Sequence, residues 1–540
     1  MARTKKKSAR SPVVYTNYML NIFSNFKKAG LLDDIGNFID IGAQQIWRNT
    51  DYEIENFIST FGGSASKEEI SEWFKKFGPF PPARFLFDKI NMPYDCLDSS
   101  AETRSSVKGL NFDLNFDQAP DHMREVFDFV CDIGTLEHVF NQENSFNVCH
   151  DLTKPGGQML HYLPSIGFSD AAYFHCLPRL YADIAEQNEY EEDGMWYHFT
   201  HSDDLVEWDP EILKHVDLTA LSMHSIDIVA LWRRTSKNKF KNPVLDEKSF
   251  KLSGYKRHIM NILCDALKYD MIKGIKSVAD LGEQPVSTKK ASSQFKEFIS
   301  MLGGQAPDTP VTNSASMYEA AGVKHRSISL SDIASDQIAK GDEKYDFVTN
   351  LGVSDKIFNF GRVFQRMHEI TEVGGTMMHV VPFFGNDDNS YYSIMPTLME
   401  EMAIVNGYRI LGAWLYVDGM DSALFWDDNH FRWLDLKISN LEGNAYYIVL
   451  FNKRYDSEFN IPFQFKYRGL RSEETSQRYH LNLNGENVVD WPLRKVDSRR
   501  ELVGRVLGQY AQRPLTKPRS LYRSRFLSMT GAKKQTKDFL

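Results

Sequence analysis

The sequence predicts an α/β protein that contains two tandem copies of one domain, each built around a mostly parallel sheet. Three observations indicate this architecture. The chain repeats itself at an offset of about 218 residues, short apolar strands alternate with amphipathic helices, and 540 residues exceed what one hydrophobic core usually serves. A content of 42% hydrophobic and 13% aromatic residues excludes a disordered or fibrous chain.

The internal repeat is clearest where FDFVCDIGTLEHVFN at 127–141 aligns with YDFVTNLGVSDKIFN at 345–359. Further identical pairs, upstream and downstream of this segment, are Asp40/Asp280, Gly42/Gly282, Gly156/Gly374, Gly157/Gly375 and His161/His379. A period this long indicates duplicated domains, because solenoid repeats have only about 20–50 residues. We predict a basic N-terminal arm, two domains and a basic C-terminal extension, with bounds 1–12, 13–248, 250–470 and 471–540.

The elements of the first copy follow from its apolar spacing. Helical periodicity predicts helices at 14–28, 51–63 and 141–152. Short apolar runs bounded by turn residues predict strands at 37–42, 93–98, 108–115, 127–134 and 158–164, with a hairpin of two more strands within 218–234. Strands that alternate with helices favour a mostly parallel sheet, in which ligands bind at the carboxyl ends of the strands.

Charge is distributed unevenly along the chain. The net charge is -9, so the whole molecule is not a nucleic-acid binder by charge, yet residues 1–12 and 502–537 contain basic residues and no acidic ones. These ends are either solvated termini or arms for an anionic partner such as RNA, a membrane surface or a charged glycan.

The 5 cysteines are widely spaced and form no CxxC pair, which predicts neither a disulfide framework nor a metal site. No apolar run approaches the roughly 18–20 residues of a membrane helix. A cytoplasmic protein without a transmembrane segment is therefore expected.

Acidic and small residues follow the predicted strands in order. The first strand ends in Asp40, Gly42 and Gln44, where glycine lets the backbone pass close to a ligand. Asp98 ends the second strand, where a carboxylate could accept both hydroxyls of a ribose, and Asp113 lies on the third. The end of the fourth strand carries the largest set: Asp132, Gly134, Thr135, Glu137 and His138.

With these residues the sequence resembles class I S-adenosylmethionine-dependent methyltransferases, most specifically in FDFVCDIGTLEHVFN…LTKPGGQMLHYLP. The resemblance implies two Rossmann-like domains, each with a seven-stranded sheet whose last strand is antiparallel. It implies S-adenosylmethionine as the cofactor, with Asp40, Gly42 and Gln44 on its methionine side and Asp98 on its ribose. Asp113, Asp132 and Gly134 would lie near the adenine and the mouth of the site. The chain departs from the family in having one glycine in the first loop, where two or three are usual.

Methyl transfer needs a base when the acceptor is a hydroxyl or a protonated amine. His138, beside Glu137, and His161 are the candidate catalytic residues, because imidazole titrates near neutral pH. His161 lies in mid-strand, which favours a structural role, whereas His138 is equally consistent with a base or with a structural residue at a helix start. The expected acceptor is a small molecule or a glycan.

The two copies differ at the predicted site. Asp355 and Lys356 replace Glu137 and His138, and no acid clearly matches Asp98. We therefore expect the first copy to bind cofactor and the second to be a degenerate partner that pairs with it. Two alternatives remain open: a catalytically inactive binding or scaffold protein, and an RNA-modifying methyltransferase that uses the basic tails.

Overall fold

The computed structural model describes residues 14–479, with gaps at 33–34, 48–50, 100–108, 167–171, 200–204, 210–225, 244–251, 273, 288–291, 336–342, 385–389, 419–422, 427–443 and 465–476. The described residues belong to one compact unit that contains both predicted domains. The basic N-terminal arm, nearly all of the C-terminal extension and the first part of the predicted hairpin lie outside the described residues.

The first half alternates helices and strands as its apolar pattern predicts. Its helices are α1 (Asn17–Lys28), α2 (Asp51–Thr60), α3 (Lys67–Phe77), α4 (Arg84–Lys89), α5 (Gln142–Leu152) and α6 (Pro178–Gln187). Its strands are β1 (Val14–Tyr15), β2 (Phe38–Ile41), β3 (Gln45–Ile46), β4 (Tyr94–Asp98), β5 (Leu110–Asn111), β6 (Phe127–Ile133), β7 (Thr153–Ile166), β8 (Phe174–Cys176), β9 (Glu191–Phe199), β10 (Leu205–Glu207) and β11 (Ile226–Arg233).

The second half continues the same alternation. Its helices are α7 (Arg257–Lys268), α8 (Ser292–Met301), α9 (Ser314–Ala320), α10 (Leu330–Ser335), α11 (Phe360–Ile370) and α12 (Pro396–Val405). Its strands are β12 (Ser277–Leu281), β13 (Lys324–Ile328), β14 (Tyr345–Leu351), β15 (Thr371–Phe384), β16 (Tyr392–Ile394), β17 (Arg409–Val417), β18 (Leu424–Phe425) and β19 (Ala445–Asn452). In the described part of the chain, no helix combines the length and apolar content that crossing a membrane would require.

Each half has one large mixed sheet. The order in the first half is β10-β9-β11-β7-β6-β2-β4-β5, and in the second it is β13-β12-β14-β15-β19-β17-β18. Five adjacent strands of the first sheet are parallel: β5, β4, β2, β6 and β7. The strand β11 is inserted between β7 and β9 and is antiparallel to both, and β19 has the same place between β15 and β17 in the second sheet. This is an α/β fold with mostly parallel strands, as expected.

The sheets differ from the prediction in detail. The first has eight described strands where seven were expected, because the short edge strand β10 pairs with β9. The predicted strand at 108–115 is reduced to the two residues of β5. Of the predicted hairpin, the described residues form only β11. Its second antiparallel neighbour, beside β7, is β9, which the apolar pattern did not predict.

The two halves join through a two-stranded antiparallel ladder between β8 and β16. His175 lies opposite Ser393, its equivalent at the repeat offset, so the local symmetry axis passes between these two residues. The contacts on either side are reciprocal: the Tyr173 hydroxyl donates to Glu401 at 2.6 Å, and the Tyr391 hydroxyl donates to Asp183 at 2.7 Å.

Hydrophobic packing also connects the halves. The largest core cluster contains side chains from both, including Phe140 against Phe360 with ring centroids 5.3 Å apart. The opposite face of each sheet packs on a cluster of its own. All five cysteines are buried and free. Because one core is shared, the halves are expected to unfold together.

Candidate active site

The turn after β2 contains Gly42, and its backbone amides already donate hydrogen bonds within the protein. After β2, Gly42 adopts φ +94°, and its amide donates to the Leu97 carbonyl at 2.7 Å. The amide of Ala43 donates to Asp98 Oδ2, also at 2.7 Å. The next helix begins only at Asp51, behind the short strand β3. Neither amide is therefore free to bind a ligand, and β3 lies between Gly42 and the helix that the sequence predicts at 51–63.

Gly42 lies against the turn that follows β6. The Thr135 hydroxyl donates to the Ile41 carbonyl at 2.7 Å, and a Cβ on Gly42 would lie 2.3 Å from that hydroxyl oxygen. Only glycine fits this turn, for reasons of both space and backbone conformation.

Gln44 has an acceptor without a partner. Its side-chain amide donates to the Ile133 carbonyl at 3.0 Å. The residue is only 1% exposed, and none of the residues that the structure describes donates a hydrogen bond to its carbonyl oxygen Oε1. An unsatisfied acceptor at the ends of two parallel strands fits an ammonium or hydroxyl donor of a ligand. Gln284 Oε1 in the second half is unpartnered in the same way.

Asp40 is not a ligand contact, which corrects the sequence expectation. The residue is fully buried, and its two carboxyl oxygens accept the hydroxyls of Tyr15 at 2.9 Å and Tyr94 at 2.7 Å. Burial raises its pKa from 3.8 to about 8, while the hydrogen bonds from Tyr94 and Tyr15 act in the opposite direction. Asp40 therefore ties β2 to its neighbours inside the core.

The raised pKa of Asp40 predicts a loss of stability with rising pH. The unfolded state ionises from about pH 4 and the folded state only near pH 8, so the favourable contribution present at low pH is lost across this window. We expect Asp40→Asn to be more stable than wild type at pH 8 by at least about 1 kcal/mol, and to differ less at pH 5. Urea unfolding at both pH values measures the difference.

A matched control for this prediction is Asp280→Asn. Asp280 has the corresponding position in the second half, but its carboxylate faces a ring nitrogen of His325 at 2.9 Å. Asp280→Asn should therefore destabilise the protein instead. An Asp40→Asn variant whose stability follows the same pH curve as wild type would contradict the interpretation.

The acidic residues at the end of β4 and just after β5, Asp98 and Asp113, have different surroundings. Asp98 is partly exposed at the end of β4, beside the glycine turn that it supports. Asp113 is only 4% exposed, and its oxygens accept the Tyr479 hydroxyl at 3.0 and 2.8 Å. The expected adenine-side contact of Asp113 is corrected, because Tyr479 already covers this carboxylate.

Asp132 organises the turn after β6 from below. It is fully buried, and its Oδ1 accepts the amides of Thr135 and Leu136 at 3.3 Å each, while Oδ2 pairs with His161 Nδ1 at 3.2 Å. Burial raises the pKa of Asp132, and the hydrogen bond from His161 opposes that shift. Gly134, with φ +67°, completes the turn. Asp132 is thus a positioning residue and does not face the mouth of the site.

The candidate base is His138. Leu136–His138 form one turn of 3₁₀ helix, and His138 Nε2 lies 3.4 Å from Glu137 Oε1. The His138 side chain is 13% exposed. His161 is 1% exposed and packs against the rings of Phe146 and Trp232. The alternative role of His161 as a base is therefore corrected in favour of a structural role, and among the described residues its hydrogen-bond partner is Asp132.

In the second half, residues just before the first helix and after β13 pack on the equivalent strand ends. The Gly282 amide donates to Ile328, as that of Gly42 does to Leu97, so Ser329 stands where Asp98 stands. A Cβ on Gly282 would meet Leu252 at 3.0 Å and Leu330 at 3.3 Å. A Cβ on Gly352, the equivalent of Gly134, would meet the Ser253 hydroxyl at 2.5 Å.

The turn after β6 also differs from the equivalent turn after β14. Asn350 replaces Asp132, and its side-chain amide faces His379 Nδ1 at 3.3 Å, where burial lowers the pKa of His379 to about 3. Lys356 and Asp355 form a buried ion pair with an N–O distance of 2.6 Å. The first half thus retains a carboxylate–imidazole pair under its turn, whereas the second has a neutral amide–imidazole pair.

Several residues of the site could not be selected from the sequence. Tyr15 recurs as Tyr255, which marks the repeat but does not reveal a bond to a buried acid. Thr135 is one of the residues that the sequence places at the end of β6, but nothing in the sequence indicates its contact with Gly42. Tyr479 is distant in sequence, and no pattern links it to Asp113.

No protein-family model and no curated protein matches the chain. Solved structures that resemble it have low similarity. An S-adenosylmethionine-dependent methyltransferase from Mesorhizobium loti covers 40% of this chain and 100% of its own, with 12% identity and a TM-score of 0.23. The Burkholderia thailandensis 1,6-didemethyltoxoflavin-N1-methyltransferase, solved with S-adenosylhomocysteine, covers 40% and 78%, with 12% identity and a TM-score of 0.21.

A third structure, the T. thermophilus 16S rRNA N2 G1207 methyltransferase in complex with AdoMet and guanosine, covers 80% of this chain and 92% of its own, with 11% identity and a TM-score of 0.19. At such scores the likeness does not establish membership of a family.

Proposed function

We propose that the first half binds S-adenosylmethionine and transfers its methyl group to a hydroxyl or amine of a small molecule or glycan. The two halves would be copies of one Rossmann-like methyltransferase domain, and the second would no longer bind cofactor. The strand order around β2, with an antiparallel β11 inserted beside β7, supports this proposal, because the sequence resemblance predicts an antiparallel last strand.

The observation that carries the proposal is the difference between equivalent strand ends. In the first half, the carboxylate of Asp98 lies beside the Gly42 turn and is partly exposed. In the second half, Ser329 replaces it. Selection for a carboxylate acceptor at only one of two equivalent strand ends would produce this difference.

The residues of the first half have suitable chemistry for such a cofactor. Asp98 would accept the ribose hydroxyls, and the unpartnered Gln44 Oε1 would accept a hydrogen bond from the amino group. The bound cofactor would supply a methyl group activated by a sulfonium. The protein would align the acceptor, exclude water, and take up the proton of the acceptor at His138, whose ring lies beside the Glu137 carboxylate.

Methyl transfer tests the proposal directly. The full chain is incubated with methyl-labelled S-adenosylmethionine and a panel of hydroxyl and amine acceptors, and S-adenosylhomocysteine release is measured. We expect turnover with at least one acceptor, and His138→Asn should lower kcat about 100-fold with little change in cofactor affinity. The pH profile should lose its acidic limb in the variant. Unchanged turnover in His138→Asn would remove this residue from the mechanism.

A second candidate function is a binding or scaffold protein without catalysis. The bonded amides of Gly42 and Ala43, and the close packing of Gly42 on Thr135, favour it, because less of the turn is free for a ligand. It predicts no turnover and no cofactor binding at millimolar concentration. An RNA-modifying role would depend on the basic termini, which lie outside the described residues.

A further inference from the structure

A short segment beyond the second half docks on the first half. We name Arg478 and Tyr479 the C-terminal clasp. Arg478 pairs with Asp117 at 2.9 Å and stacks over the ring of Phe116, with its guanidinium carbon 4.4 Å from the ring centroid. Tyr479 is 3% exposed, and its ring centroid lies 5.1 Å from that of Phe116.

The hydroxyl of Tyr479 connects two side chains of the loop after β5. It donates to the buried Asp113 carboxylate and accepts the side-chain amide of Asn115 at 2.7 Å. Asn115 in turn holds Asn141, whose backbone amide donates to Asn115 Oδ1 at 3.0 Å and whose side chain donates to the Asn115 carbonyl at 3.1 Å. Asn141 is the N-cap of α5.

The network continues into the turn that carries Glu137 and His138. Gln142, the first residue of α5, is fully buried and donates its side-chain amide to the carbonyls of Leu136 and Val139 at 2.8 Å each. Hydrogen bonds therefore connect Tyr479 to Asn115 and Asn115 to Asn141. The next residue, Gln142, binds the backbone carbonyls on both sides of the Glu137–His138 pair.

The second half does not repeat this arrangement. Asn359 caps α11 without a side-chain hydrogen bond to the helix, and Phe360 stands where Gln142 stands. The network is therefore specific to the half in which the strand ends retain Asp98 and the carboxylate–imidazole pair.

We propose that Tyr479 is a positioning residue of the first-half site, which holds the Glu137–His138 turn through Asn115, Asn141 and Gln142. This inference rests on the proposed function for its consequence in ligand binding, but the positioning itself does not. A segment that follows the second half thus completes the site in the first, so the site depends on the chain extending to Tyr479.

Tyr479→Phe tests the inference because it removes only the hydroxyl. Tyr455→Phe is a matched control: Tyr455 also follows an arginine that lies over its ring, at 5.2 Å, but it is 42% exposed and belongs to another surface. Two quantities are measured on the full chain: amide hydrogen exchange across 113–144, and the Kd for S-adenosylhomocysteine.

In Tyr479→Phe we expect the amides at 136–142 to exchange about fivefold faster or more, and the Kd to rise about five- to tenfold. Tyr455→Phe should match wild type within about twofold for both quantities. Faster exchange confined to 113–117 with an unchanged Kd would overturn the inference and leave the proposed function standing. Tighter binding would also overturn it, since the clasp would then compete with the ligand. If the amides at 136–142 exchange faster in Tyr479→Phe but neither wild type nor this variant binds S-adenosylhomocysteine, the positioning role is supported and the proposed function is refuted.

Discussion

Asp98→Ala is expected to raise the Kd for S-adenosylhomocysteine at least tenfold, and by more than 100-fold if both ribose hydroxyls bind the carboxylate. A hydrogen bond to a charged group contributes about 1.5–3 kcal/mol, and each 1.4 kcal/mol changes affinity tenfold. Asp98 is the charged acceptor beside the Gly42 turn that the second half lacks. Titration calorimetry with the purified chain measures the effect.

Two further variants separate ligand binding from support of the loop. Asp98→Asn keeps an acceptor for the Ala43 amide, so it should preserve the turn while still losing most of the affinity. Ser329→Ala changes the equivalent position in the second half and should leave the Kd within twofold of wild type. Equal losses in the Asp98 and Ser329 variants would refute the assignment of the site to the first half.

Gly42→Ala is expected to be the most damaging small substitution at the site. Its φ of +94° is unfavourable for a side chain, and the new Cβ would lie 2.3 Å from the Thr135 hydroxyl, which is itself bonded to Ile41. We expect a loss of about 2–4 kcal/mol in the free energy of unfolding, together with loss of cofactor binding. Urea unfolding and the same calorimetric titration measure the two effects.

Gly62→Ala is the control for backbone strain. Gly62 has a φ of +80° and open space around the position of a Cβ, so only the conformational cost of about 1–2 kcal/mol applies. Thr135→Ala in the Gly42→Ala background removes the clashing hydroxyl and should recover part of the stability. A Gly42→Ala loss no larger than that of Gly62→Ala would show that the contact with Thr135 is unimportant.

The sequence was informative where strands are buried and bounded by turns. The apolar runs that became β2, β4 and β6, and the acids and glycines at their ends, follow from residue type alone, because parallel strands covered on both faces need continuous apolar side chains. The strand β9 begins with Glu191, Glu192 and Asp193 at the outer part of the sheet, so its polar start concealed it.

Side-chain direction and long-range contacts were beyond sequence reasoning. Asp40 was expected to face a ligand, yet a strand buried on both faces gives no alternation that would show which way a lone acid points. The contact between Tyr479 and Asp113 joins residues 366 positions apart and follows from no local pattern. The pairing of β3 with β1 was not predicted either, because these strands have two residues each and are too short for periodicity to detect.

The number of S-adenosylhomocysteine molecules bound per chain tests the central claim most directly. Isothermal titration calorimetry of the full chain should give one site, which disappears in Asp98→Ala and persists in Ser329→Ala. The expectation of a single site rests on Ser329, which stands in the second half where the first half has Asp98. Two sites, or no binding at millimolar ligand, would contradict it.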